Sequence, residues 1–174
     1  YSCISYKATS VGNAYGATVA DPRTGEILSS HIGISSSVRD LLQRLYFCQA
    51  GAVDSRAADL LLPDTLMGEL VCYVVSHEVG HTLGLRHNFR GSSVFGTEQL
   101  RDAGFVRSHG HGASIMDYMR FNSAAQPEDG IDPGDLIPRI GPYDRFAVTW
   151  GYRFLPGTNP AAERDSLRRW VDTR

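Results

Sequence analysis

His77, Glu78, His81 and His87 are the residues whose types and spacing could do chemistry, standing in the run His77-Glu78-Val79-Gly80-His81-Thr82-Leu83-Gly84-Leu85-Arg86-His87. Two His four apart on a helix lie about 40° apart around its axis, one turn above the other, so both imidazoles reach one ion. Gly84 lets the chain leave the helix with φ > 0 and brings His87 round as a third nitrogen. Three neutral imidazoles with an open fourth position are the donor set of a catalytic zinc site rather than a structural one. Zinc lowers the pKa of a bound water from about 15.7 to roughly 7. The carboxylate of Glu78, beside both His, is placed to take that water's proton and pass it to a leaving amine. A lone His on an apolar helix is usually a satisfied core residue. The full spacing arises by chance in about 10⁻⁵ to 10⁻⁴ of such sequences, so a hydrolytic metal site is the reading.

These residues must be held by a helix. Pro63-Asp64 is a start signal, and Thr65 to Leu83 is apolar on most sides, which predicts a central, buried helix. Cys72, five residues before His77, faces away from the ligands and reads as a small buried hydrophobe. Upstream, Tyr1 to Tyr6 is extended. Ala14–Ala20 and Glu26–Ser35, joined by Asp21-Pro-Arg-Thr-Gly25, read as a β-hairpin. Ser35-Ser36-Ser37 offers N-caps to a helix carrying Val38, Leu41, Leu42, Leu45 and Tyr46, which Gly51 ends. From Asn88 to Pro142 the periodicity is weak, and loops and short turns are expected. Tyr143 to Trp150, with Gly151 at its end, and Pro160 to Val171 read as helices.

The chain has 174 residues, of which 42% are hydrophobic and 21% charged, the proportions of one globular domain. Disorder and coiled coil are excluded. No stretch approaches the roughly 18 apolar residues of a membrane span. A net charge of −2 speaks against nucleic acid as a partner. Three cysteines, an odd count, exclude a disulfide-built scaffold. The start at Tyr1, already in a strand and without an initiator Met, reads as part of a larger parent polypeptide, so missing targeting segments carry no information about compartment.

With Ser114-Ile115-Met116-Asp117-Tyr118 starting its Met 29 residues after His87, the zinc run resembles the metzincin group of zinc peptidases, whose signature ends in a Met-turn. Gly141-Pro-Tyr-Asp-Arg-Phe-Ala-Val-Thr-Trp-Gly-Tyr152 resembles their closing helix. Asp-Pro-Arg-Thr-Gly-Glu-Ile-Leu, Leu-Arg-His-Asn-Phe-Arg-Gly-Ser-Ser and Ala-Gln-Pro-Glu-Asp-Gly look closest to a little-characterised family of large bacterial zinc-dependent metalloproteases. The resemblance implies an α+β fold, a small mixed β-sheet packed on a central zinc-binding helix, with a loop-rich C-terminal part. It implies one metzincin-like catalytic domain fragment over 1–174, with sheet and active-site helix in 1–87 and Met-turn and C-terminal helices in 88–174. It further implies one catalytic Zn2+ on His77, His81 and His87, Glu78 as general base and Met116 as an apolar floor below the zinc. Tyr118 would swing between zinc and oxyanion. An edge strand, through Ala17, Thr18, Val19 and Ala20, would bind an extended peptide or protein substrate. A secreted, periplasmic or cell-surface location follows from the resemblance alone. Two departures stand out: Asn88 follows His87 where better-known subfamilies have Glu, Ser or Asp, and the opening strands and first helix of a metzincin domain are absent.

Other features are weaker. His109-Gly-His111 reads as solvent-exposed or substrate-facing rather than as a second metal site. Asp129, Asp132 and Asp135 suit Ca2+ by ligand type, although their spacing fits a solvated acidic turn better. Arg86 and Arg90, flanking the third His, either orient a substrate carboxylate or lie on the surface. Lone His31 reads as structural or exposed. Two alternatives to a peptidase remain: a catalytically silent peptide- or protein-binding module, against which the intact Glu78 argues, and a purely structural zinc, whose removal would unfold the chain.

Overall fold

The turn chemistry at Asp21 folds as expected. Its carboxylate accepts from the Arg23 N–H at 2.8 Å and Gly25 takes φ +78°, closing a hairpin between β2 (Ala14–Ala20) and β3 (Ile27–Ser35). In the computed structural model, which describes every residue except Leu60, Thr158 and Arg174, β1 (Cys3–Lys7) lies parallel to the far side of β3. The order β1-β3-β2 pairs Gly16 with Ile32 and leaves β2 at an edge, with a register shift between Val19 and Ala20.

Ile32 and Ile34 of β3 turn into the core. There they meet α1 (Val38–Ala50) and α2 (Asp64–Thr82) through Val38, Leu42, Tyr46, Leu66 and Leu70. Ser37 sits at the start of α1 but does not cap it through its side chain; its hydroxyl donates to the Thr9 carbonyl at 2.6 Å. The core continues into the C-terminal part through Phe121, whose ring meets Tyr46 edge-on at 4.8 Å and Tyr73 at 6.1 Å.

The expectation that α2 is buried all round is corrected. Leu66, Leu70, Tyr73, Val74 and His77 are buried, yet Val71 and Val75 are only half-buried and Val79 is 38% exposed. Cys72 is exposed on the same side, not a buried hydrophobe. An apolar periodicity reports which positions could be buried, not what lies over them.

The weakly periodic stretch holds more helix than expected: α3 (Thr97–Leu100), α4 (Ala103–His109), and three-residue and four-residue 3-10 turns. Asp102 makes α4 possible by accepting from the Phe105 N–H at 2.7 Å. The helix α5 (Pro142–Tyr152) runs through Gly151 rather than ending there, and α6 (Pro160–Asp172) follows with no buried residue. The architecture of the described residues is thus α+β, a small mixed sheet with six α-helices. No helix among the described residues is long and apolar enough to cross a membrane.

Candidate metal centre

The last two turns of α2 carry His77 and His81, and the chain then reverses. Gly84 takes φ +84°, the Leu85 N–H donates to the Gly80 carbonyl at 3.0 Å and Gly84 N–H to His81 at 2.9 Å. His87 returns beside the helix. One nitrogen from each of the three rings lies within 4.8 Å of the others, the only such group of potential ligands among the described residues.

Backbone carbonyls fix the rings. His77 Nδ1 donates to Ile115 O at 2.7 Å, and His81 Nδ1 donates to Leu85 O at 2.9 Å. Each bond places the proton on Nδ1 and leaves the Nε2 lone pair free. His81 Nε2 and His87 Nε2 are 3.0 Å apart. Tetrahedral ligands at roughly 2.0–2.1 Å from zinc lie about 3.3 Å from one another, so this donor set fits the ion. Burial pushes the His77 pKa down, with the neighbouring His81 and His87 acting the same way, while the hydrogen bond to Ile115 opposes them; the shift favours the neutral form that a ligand needs.

Glu78 projects next to these rings and is 6% exposed. Burial pushes its carboxyl up, and the charge of His81, a backbone hydrogen bond from Gly16 and the charge of Arg120 pull it back. Its Oε2 is buried and has no hydrogen-bond partner among the described residues, which is costly unless something else uses it. Gly16 is where β2 touches α2: a Cβ there would lie 2.5 Å from the Glu78 carbonyl oxygen.

Against α2, at Gly80 and His77, lies the turn Ser114–Tyr118. Met116 is fully buried, and a Cβ on Gly80 would come within 2.3 Å of its sulfur. The turn is held by Asp144 of α5, whose carboxylate accepts from Ser114 Oγ at 2.6 Å, from the Ile115 N–H at 2.7 Å and from the Gly141 N–H at 2.8 Å. Asp117 accepts from the Ser92 N–H at 2.6 Å, and the Asn88 N–H donates to the Met116 carbonyl at 3.0 Å, tying the third His to the same turn. Tyr118 reaches over the rings, its hydroxyl 2.8 Å from His87 Nε2.

The cleft in front of these groups has a volume of about 380 Å³. It is lined by Gly12 to Gly16, by Leu41, Leu42 and Leu45 of α1, and by Tyr73, Tyr118 and Arg120. Ala17, Thr18, Val19 and Ala20 continue β2 beyond the cleft lining and are exposed. Arg86 and Arg90 are exposed and do not line it. His111, expected to be exposed or substrate-facing, is 5% exposed and bonds the Arg120 carbonyl at 2.9 Å, while His109 lies on the surface stacked on Phe105. The acidic turn is held by arginines: Asp129 pairs with Arg101, and Asp132 and Asp135 with Arg107. His31 is half-buried with Nε2 2.7 Å from Ser5 Oγ.

Sequence reading missed Gly16, Asp144 and Arg120. Only Asp144 left a signal, as an acidic residue three positions after Gly141 at the start of a helix. The model of the Met-zincin family matches residues 60–174, about two thirds of the chain. No curated protein and no solved structure matches it.

Proposed function

Because the chain belongs to the Met-zincin family of zinc metallopeptidases, we propose that it hydrolyses peptide bonds, with His77, His81 and His87 as the zinc ligands and Glu78 as the general base. The observation that carries this reading is the convergence of three imidazoles beside a buried carboxylate oxygen that has no other partner. Bound there, zinc supplies a Lewis acid that polarises the scissile carbonyl and acidifies a water.

The remaining steps belong to the chain. Glu78 Oε2 accepts a proton from the attacking water and later delivers it to the leaving amine. Its raised pKa brings it nearer to the working pH, where a shuttle performs best. Tyr118 donates its hydroxyl hydrogen bond to the carbonyl oxygen as negative charge develops. Met116, packed against Gly80 of α2, is the apolar floor of the site, and Ser114–Tyr118 is the Met-turn. The free edge of β2, from the cleft out to Ala17, Thr18, Val19 and Ala20, offers backbone groups to an extended peptide, which favours cleavage within chains.

The test is metal content together with cleavage of an unfolded protein. About one zinc per chain is expected, with cleavage that a chelator stops and added zinc restores. Glu78→Gln should retain the zinc and lose roughly 10²- to 10⁴-fold in kcat. A Gln variant cleaving at the full rate overturns the mechanism.

A further inference from the structure

Arg120 lines the cleft, and peptide hydrolysis as described above has no use for it. Its backbone is costly: φ +59° makes it the one non-glycine residue with positive φ among the described residues. The strained position is braced by His111, whose Nε2 donates to the Arg120 carbonyl. The side chain is held too. Its guanidinium carbon stands 4.9 Å from the Tyr118 ring centroid, and Nη1 donates to the Tyr73 hydroxyl at 3.2 Å. Tyr73 lies one turn of α2 before His77.

Elsewhere this chain uses its arginines in one recurrent way. The Nε and Nη2 edge of Arg23 grips Asp21, that of Arg56 grips Asp54 and that of Arg101 grips Asp129. The same edge of Arg120 makes no hydrogen bond among the described residues, and no carboxylate there pairs with it within 4.0 Å. A guanidinium fork matches a carboxylate with two parallel hydrogen bonds, and one already ordered by two aromatic rings loses little entropy in doing so. The apolar wall of Leu41, Leu42 and Leu45 strengthens such a pair by keeping water away.

We propose that Arg120 is a specificity-determining residue: its Nε–Nη2 edge binds a carboxylate of the substrate peptide within a residue or two of the scissile bond. The inference rests on the peptidase reading, and it names the substrate class as peptides carrying a carboxylate at that place. The carboxylate comes from an Asp or Glu side chain or from the peptide's own C-terminus.

The test uses the full zinc-loaded chain and matched fluorogenic peptides. One set exchanges Asp for Asn at each position flanking the cleavage site, and the other exchanges a C-terminal acid for an amide. The acid member should be favoured in kcat/KM by about tenfold to hundredfold at one place; the set that shows it identifies the source. Arg120→Gln should bring the ratio to about one, and Arg120→Glu should turn the preference toward a Lys-bearing peptide. Zinc content and near-ultraviolet circular dichroism check each variant. If the Gln variant does not fold, Arg120→Lys, which keeps the charge and loses the fork, must lower the ratio instead. A wild-type ratio near one, or a ratio unchanged in the variants, overturns the assignment while leaving peptide hydrolysis intact. Fluorescence anisotropy of the same peptides on Glu78→Gln separates the two readings: acid-selective binding without any wild-type cleavage keeps a carboxylate site in the cleft and overturns the peptidase reading with the specificity role built on it.

Discussion

Asp144 lies outside the cleft, yet it orients His77 through the backbone. Its carboxylate holds the Ile115 N–H, and the carbonyl of the same residue holds His77 Nδ1. Asp144→Ala leaves three donors, two of them backbone N–H groups, without a buried acceptor. A loss of about 3 kcal/mol or more is expected in urea unfolding, together with roughly 10- to 100-fold weaker zinc binding by titration. His111 acts through pH. Burial pushes its pKa down, only partly opposed by backbone hydrogen bonds including that to Arg120, so the folded state holds fewer protons than the unfolded one below about pH 6.5. Stability is therefore lost as pH falls from that value toward the folded pKa, by at most about 1.4 kcal/mol per unit. His111→Gln should make the pH dependence shallower in urea melts between pH 7 and 5, and an unchanged slope counts against the assignment. The three His and Glu78 are legible in sequence because their spacing is itself the geometry. Asp144 and Arg120 meet their partners 29 and 47 residues away, a distance that no local pattern records.

At the scale of elements, α2 is fixed by what it touches on two sides. Met116 packs against Gly80 and β2 packs against Glu78 and His81 through Gly16. Gly80→Ala gains up to about 1 kcal/mol in helix propensity but forces a fully buried Met116 aside, a cost of about 1–3 kcal/mol, so net destabilisation is expected. Thermal unfolding of the double-mutant cycle checks it: Met116→Ala should cost less in the Gly80→Ala background than alone. The strands and four of the longer helices are readable from alternation, caps and three-four spacing. The face of α2 with exposed Cys72 and Val79 and half-buried Val71 and Val75 is not, because apolar character on a helix does not say which side finds a neighbour. The short α4 is hidden for a different reason: its seven residues are too few to show a period, and its Asp102 cap is an isolated signal.

For the whole molecule, the core runs from Ile32 through α1 and α2 to Phe121 and Leu136, well beyond the three His. A metal at the three His would thus bind to a fold that already has its packing. Chelation should lower the melting temperature and leave the far-ultraviolet circular dichroism intact, whereas zinc at a thousandfold above its dissociation constant adds about 4 kcal/mol. Loss of the folded spectrum on chelation supports a structural ion instead.

The contact between Gly16 and Glu78 has a consequence for descent. The strand reaches the carboxylate with a backbone N–H, so what must be inherited is a missing Cβ in a particular register, not a side chain. The exposed side chains of β2 at Ala17, Thr18, Val19 and Ala20 can therefore change while the strand still supplies the ledge in front of the site. A distant member should be sought by one small residue facing the helix, spaced to meet the Glu beside the first His, rather than by similarity along the strand.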